Sequence, residues 1–372
     1  MRKRIGIIFG GNSVEHEISI LSYIQISHAI NREQYEILPI YLTKTGSFWV
    51  GPHFDELKTF QKAKFKHYEV VFYQKNKQLR LGGLKYLPRR YRKPIDVILP
   101  VVHGRNVEDG SLAGYFRILN ATYASCDVLP AAILQSKIHT KKMLEFVGIP
   151  TIPYHAITNS AYMEDSSNIL QTCECLAYPM IVKPVSLGSS IGIKIATNRD
   201  ELEKAIIYAF KYDEQIIVES KLDDFQEFNQ AVLETDGSYI LSEIEEVKTE
   251  NSFLTFADKY LPATSSRTIP AEISESLAGL INETSMMVAD HFKIRGISRI
   301  DYLYDRKSDT LYVNEINSIP GSLAFYLFED KISFTDLIDL LIKAAIRAKY
   351  RDDLKINSFQ SLVLSSTRLL KK

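Results

Sequence analysis

The chain has 372 residues, of which 45% are hydrophobic and 24% charged, an ordinary globular balance with room for two or three domains. Lys+Arg and Asp+Glu both count 45, so the formal net charge is zero. That excludes the basic excess of a general nucleic-acid or membrane-surface binder, while leaving room for a local basic pocket.

The opening apolar run is too short for a secretory core, and no stretch of about 18 apolar residues follows it. The three cysteines, Cys126, Cys173 and Cys175, are an odd set that fits a reducing cytoplasm better than a disulfide framework. All three are expected to be structural. Ile5 to Phe9 reads as a buried strand ended by Gly10-Gly11, and a helix is expected from Glu17 to about Ile30. Tyr35 to Leu42 reads as a second strand. The stretch from about Phe60 to Arg92, rich in Lys, Tyr and Arg, reads as a solvated insertion with weak hairpin character. Asp96 to Val102 is another apolar run, closed by His103-Gly104 and followed by a helix from about Gly110 to Leu119. The pattern is that of an open, doubly wound parallel sheet, whose ligand crevice lies at the carboxyl ends of its strands. This first domain is expected to span residues 1–128.

A second segment, 129–214, starts with one helix, Leu129 to Phe146. A strand follows at Pro179 to Pro184, then a Gly/Ser-rich loop to Gly192, a strand at Ile193 to Ala196 and a helix at Asp200 to Tyr212. The third segment, 215–350, begins with strands near Gln215–Glu219, Glu227–Leu233 and Tyr239–Glu245. A helix from Ala271 to Phe292, strands Ile297–Tyr304 and Thr310–Asn314, and a helix from Phe334 to Ala348 complete it. Residues 351–372 form a tail with no assigned role.

The sharpest chemistry lies in the third segment. If the strands Ile297–Tyr304 and Thr310–Asn314 pair as a hairpin, Asp301, Glu315 and Asn317 face one side. Two carboxylates and an amide oxygen form a hard-oxygen set suited to Mg²⁺ bridged to phosphates. The alternative is an exposed acidic hairpin, which the apolar flanks argue against. Arg299 is expected on the opposite face unless a bulge re-aims it. Lys183 ends an apolar strand, as either a snorkelling surface residue or a phosphate ligand. The loop Ser186-Leu187-Gly188-Ser189-Ser190-Ile191-Gly192 after it offers the exposed N–H groups of a phosphate cradle, or is a plain turn. Lys259 and Tyr260 lie in a polar stretch that is either a solvated loop or a lid over residues 249–264. Glu15 and Glu17 favour a helix start or face the crevice, and His103 is either a core histidine or part of that crevice.

Together these motifs, in chain order from about residue 4 to 328, resemble the D-alanine–D-alanine ligases of the ATP-grasp superfamily. The residues that carry the likeness are Gly10-Gly11-Asn12-Ser13-Val14-Glu15-His16-Glu17-Ile18-Ser19, His103 to Gly110, Lys137 with Thr140-Lys141, Ile181 to Gly192, Arg299-Ile300-Asp301 and Asn314 to Gly321. The resemblance implies an N-terminal pre-ATP-grasp domain, a central ATP-binding domain and a C-terminal α+β domain. It implies an ADP-forming ligase that makes a dipeptide for peptidoglycan precursors through an acyl phosphate, in the cytoplasm and often as a homodimer.

By the same resemblance, Glu15 holds the first substrate's ammonium with His103 near its carboxylate. Lys137, Lys183 and Ser189 bind ATP phosphates, Glu219 meets the adenine side and Glu227 the ribose. Lys259 and Tyr260 sit on the lid, with Ser190 and Tyr260 near the reacting groups. Asp301, Glu315 and Asn317 hold two Mg²⁺ ions, or Mn²⁺ in their place. Arg299 and the Gly321 N–H stabilise the tetrahedral oxyanion. Two departures bear on this. Val107 stands where the family has glycine, and Tyr326 where it has a small hydroxyl residue near the second substrate. A different amino-acid or amine acceptor is therefore the alternative reading, and a catalytically silent nucleotide-binding regulator is a third.

Overall fold

The computed structural model describes residues 2–62, 64–188, 190–249 and 265–356. Their strands form three sheets. The first runs in the order β5-β4-β3-β2-β1-β6, from β1 (Lys3–Gly10), β2 (Tyr35–Leu42), β3 (Phe48–Val50), β4 (Tyr68–Lys75), β5 (Gln78–Gly83) and β6 (Val97–Pro100). β1 is parallel to β2 and β6, as expected, but β3, β4 and β5 extend the sheet antiparallel. β1 is buried on both faces because helices cover both. Ile5, Ile7 and Phe9 share a core with Ile20, Tyr23 and Ile26 of the helix His16–Ala29, while Ile8 packs with Leu112 and Phe116 of the helix Ser111–Ile118.

The 60–92 stretch is more than a solvated insertion. Its hairpin turns at Asn76-Lys77, both at positive φ as a tight primed turn requires. Val70, Phe72, Leu79 and Leu81 point into the core, while Val71 and Tyr73 face out. The outward Lys, Tyr and Arg residues mask this period-2 pattern when composition alone is read.

The expected single helix over 129–146 is two helices, Val128–Gln135 and Lys137–Phe146. Ser136 between them is extended and accepts a bond from His139 N–H, so it caps the second. The next sheet has the order β7-β10-β8-β9, from β7 (Tyr154–Thr158), β8 (Met180–Pro184), β9 (Lys194–Ala196) and β10 (Gln215–Ser220). β10 therefore pairs with β7 and β8 in this sheet, not with the third segment to which its position in the sequence assigned it. The sheet has a core of its own, with Met180, Val182, Ile216 and Val218 against Leu170, Leu202 and Ile206.

The last sheet is antiparallel throughout, in the order β13-β12-β11-β14-β15, from β11 (Phe225–Glu234), β12 (Tyr239–Thr249), β13 (Ser265–Thr268), β14 (Ile297–Asp305) and β15 (Thr310–Asn317). Phe228, Val232, Ile300 and Tyr302 pack under the helix Glu275–His291. Strand alternation sends Glu227, Asn229, Arg299 and Asp301 to the other face. The final helix, Phe334–Asp353, returns to the first sheet, where Leu337, Ile338, Leu341 and Ile342 join the core of Ile5, Ile7 and Phe9. Among the described residues no helix is long and apolar enough to cross a membrane. The three thiols are free, with Cys126 and Cys173 buried and Cys175 exposed.

Candidate active site

β14 and β15 pair as a hairpin, with Arg299 opposite Asn317 and Asp301 opposite Glu315. The register then slips, so that Tyr302 faces Val313 and Asn314 is the extra residue of a bulge. Asp301, Glu315 and Asn317 are thus brought together, and Asn317 Nδ2 donates to Asp301 Oδ2 at 3.0 Å. Arg299 is not on the opposite face. It stands two residues from Asp301, which on a strand means the same side. Its Nε and Nη2 donate to Asp301 Oδ1 and Oδ2 at 2.6 and 2.7 Å, a bidentate pair. Burial opposes its charge, but Asp301 outweighs that and holds its pKa well above the usual value.

Facing this hairpin across a cleft are the lysines of the second sheet. Lys183 Nζ donates to Glu219 Oε2 at 2.6 Å, and Lys141 Nζ lies 3.0 Å from Glu219 Oε1. Both Lys141 and Glu219 side chains are 2% exposed. Burial works to raise the Glu219 pKa, yet the two lysines win and hold it at about 2. Lys141 is a site residue whose chemistry the sequence reading passed over. The available signal was a lysine on the same helix face as Ile138 and Leu144, both buried. Glu219's carboxylate is taken up by these lysines. Lys137 Nζ donates to Leu187 O at 2.6 Å and so holds the Gly/Ser-rich loop. Lys137, Lys183, Gly188, Ser190, Glu219, Glu227, Asp301 and Glu315 line the same cleft. Ser189, Lys259, Tyr260 and the expected lid lie outside the described residues, apart from its first position, Thr249.

The carboxyl ends of β1 and β6 supply the third part. Gly104 is at positive φ, and a Cβ there would stand 2.5 Å from Ser13 Oγ, so the two loops touch. Val107 does not distort this loop. Asn106 takes the positive φ instead, and Val107 is buried in the core with Leu112 and Ile319. His103 is buried, its Nδ1 2.9 Å from Ile319 O. A carbonyl partner requires Nδ1 to carry the proton, which leaves Nε2, buried and without a partner among the described residues, as a lone pair. Burial lowers the His103 pKa, against the pull of Glu15.

Glu108 accepts from Gly104 N–H at 2.7 Å. Burial of its carboxyl, then repulsion from Glu15 and Glu315, pushes its pKa up to about 8. Residues from both N-terminal motifs and the β14–β15 hairpin therefore share one electrostatic environment. A carboxyl whose folded pKa is raised binds its proton more tightly when folded. Its contribution to stability is complete below the unfolded value near 4.5 and is lost as pH rises towards 8. Glu108→Gln is expected to flatten the fall of unfolding free energy between those pH values, measured by denaturant titration without nucleotide. An unchanged slope would rule out this coupling.

After Pro320, the turn Gly321–Leu327 carries Ser322, Leu323 and Ala324 in the left-handed region, at φ 49, 57 and 46°. Such strain persists only where surroundings impose it. Ser22 Oγ accepts from Ser322 N–H at 3.0 Å, and Ser322 Oγ bonds to Gln25. The helix of the first motif thus holds the turn. Tyr326, at the end of it, neither swings away nor offers its hydroxyl to the cleft, but donates it to Glu245 Oε2 at 2.9 Å.

A hard-oxygen hairpin opposite paired lysines across a two-sheet cleft is the arrangement of an ATP-grasp enzyme. Family models for the D-ala D-ala ligase N-terminus and C-terminus match residues 4–126 and 143–343. A D-alanine–D-alanine ligase from Thermosipho africanus is 35% identical over 348 residues, covering 92% of this chain and 93% of that one. The D-Ala:D-Ser ligase VanG from Enterococcus faecalis superposes with a TM-score of 0.80 at 29% identity, over 93% of this chain and 100% of that one. The D-alanine–D-alanine ligase from Coxiella burnetii does so with a TM-score of 0.81 at 25% identity, over 95% and 96%. The chain belongs to the D-alanine–D-alanine ligase family. It is an ATP-dependent, ADP-forming ligase of carbon–nitrogen bonds with the ATP-grasp fold.

Proposed function

We propose that the protein joins two D-alanine molecules for peptidoglycan precursor synthesis in the cytoplasm. The observation that carries this reading is the convergence in one cleft of the Asp301–Glu315 hairpin and the Lys183–Glu219–Lys141 cluster. Lys137 and Lys183, with the Gly188–Gly192 loop that includes Ser189 and Ser190, hold the ATP phosphates. Glu219 orients Lys141 and Lys183, and Glu227 meets the ribose. Asp301, Glu315 and Asn317 fit a pair of Mg²⁺ ions, or Mn²⁺. Two carboxylates and an amide leave room for a cation that keeps phosphate oxygens as its other ligands. Such ions supply neutralisation of phosphoryl charge.

Glu15 takes the ammonium of the first D-alanine, near neutral His103. That substrate's carboxylate attacks the γ-phosphate in line, releasing ADP and leaving an acyl phosphate. The second substrate's amine attacks the acyl carbon, and phosphate leaves. Arg299 and the Gly321 N–H face the oxyanion that forms. The division between the central and C-terminal domains falls between β10 and β11 rather than at residue 214, since β10 pairs with β7 and β8.

Tyr326 favours a second reading in which the acceptor is another small amino acid. Incubation with ATP, Mg²⁺ and D-alanine, beside a panel of acceptors, is expected to release ADP and form D-alanyl-D-alanine, read by product mass. ADP release that no amino acid stimulates would overturn the ligase reading. Exclusive use of another acceptor would establish the second one.

A further inference from the structure

Glu245 on β12 has no exposed surface. Its Oε2 accepts from Asn229 Nδ2 at 2.8 Å and from the Tyr326 hydroxyl at 2.9 Å. Among the described residues its Oε1 accepts no hydrogen bond, and it lies 3.4 Å from Arg267 Nη1 on β13. The guanidinium of Arg267 stands 5.6 Å from the Tyr326 ring centroid, within cation–π range. Strand register places this network with respect to the chemistry. Glu245, Asn229, Asp301 and Glu315 pair successively across four strands. The network is therefore one end of a polar row whose other end is the proposed metal site.

An amino-acid acceptor brings an amine to the acyl carbon and carries a carboxylate two bonds away. Leaving that carboxylate without a cation in a closed site would be costly. Lys141 and Lys183 share Glu219, and Arg299 is engaged by both oxygens of Asp301. Arg267 differs. Among the described residues its guanidinium meets one carboxylate, in a long contact to Glu245, beside the Tyr326 ring, and its side chain keeps 41% of its surface exposed. Its five N–H donors leave a pair able to grip a carboxylate side-on. Tyr326 cannot take that role, because its hydroxyl is committed to Glu245.

We infer that Arg267 anchors the carboxylate of the acceptor amino acid, and that Glu245 and Tyr326 are positioning residues that hold it there. The ring of Tyr326 is the platform for the guanidinium, and the buried Glu245 fixes both partners. This rests on the ligase reading and names the residues that select an acceptor with a free carboxylate over a neutral amine or amide.

The test is a competition between D-alanine and D-alaninamide as acceptors, in the full chain with ATP, Mg²⁺ and D-alanine as donor. The amide has no carboxylate to activate, so it acts only as an acceptor, and product masses separate the two. The unmodified protein is expected to prefer the acid. Arg267→Gln should cut that preference by about 10- to 150-fold through the acceptor KM, the range of one charge-assisted contact. The KM for ATP and kcat at saturating acceptor should change little. Arg267→Glu should turn the preference towards the amide. Glu245→Gln and Tyr326→Phe should shift it in the same direction as Arg267→Gln, by smaller factors. A purely structural role for Arg267 would lower acid and amide products alike. An acid-to-amide ratio unchanged in Arg267→Gln and Arg267→Glu would overturn the inference while the ligase reading stood. An unmodified protein with no amino-acid-dependent ADP release would overturn both.

Discussion

Glu315→Gln is expected to lower the rate of ligation by about 100- to 1,000-fold or more, the scale of losing a charged group aimed at transition-state charge. The substitution keeps size and hydrogen-bonding capacity and removes only the negative charge. Asp301 cannot compensate, because Arg299 already neutralises it through two bonds. The hairpin would then present one paired carboxylate and two amides to a doubly charged cation. The fold should not suffer. Glu315 is among the charges that push up the Glu108 pKa, so its loss relaxes a repulsion. The melting temperature without nucleotide should stay level or rise, and the Glu108 pKa should fall. Calorimetry should show nucleotide binding that no longer strengthens with Mg²⁺. Full activity in this variant would remove Glu315 from the proposed metal set.

Lys183→Ala is expected to weaken ATP binding by about 10- to 150-fold, the effect of one charge-assisted contact. Unlike Glu315→Gln, it should also destabilise the protein without nucleotide. Glu219 is 2% exposed and would keep only Lys141. Breaking a buried pair costs about 3–5 kcal/mol when no partner is left, so with Lys141 in place the loss should fall near or below 3 kcal/mol. The pH dependence identifies the cause. Glu219 has its folded pKa depressed from 4.5 to about 2, so its contribution is present above pH 4.5 and is lost as pH falls towards 2. Lys183→Ala should shrink that acid-side loss. Unchanged ATP affinity by calorimetry would make the loop after Lys183 no more than a turn.

The strands that carry the site were legible because they are short apolar runs ended by glycine or by a polar signature, as at Gly10-Gly11 and at His103-Gly104. Pairing between distant segments was not. Nothing in the local sequence of Gln215–Ser220 says that its neighbours are β7 and β8, since β-pairing is decided by the partner strand. The placement of Arg299 was legible in principle from period 2, and the structure follows that period. The roles of Lys141 and Glu245 were hidden for another reason. A charged residue on an otherwise ordinary helix or strand reads as solvated until its neighbours across the fold show that it is buried and paired. Tyr326 stood out as a departure, but the partner that takes its hydroxyl is 81 residues away in the chain.

The return of the last helix to the first sheet bears on how the chain is made. One face of β1, with Ile5, Ile7 and Phe9, finds its cover partly in Leu337, Ile338, Leu341 and Ile342, and Tyr35 bonds to Asp339 at 2.5 Å. At about 5–20 residues per second, the roughly 300 residues between these partners take about 15–60 s to synthesise. Over that interval the first sheet has its helix His16–Ala29 but lacks the closing layer. The second sheet, whose core is drawn from its own segment, can complete itself as it emerges. The first and second sheets therefore mature by different routes. The second depends on its own segment, and the first waits for the helix Phe334–Asp353 to leave the ribosome.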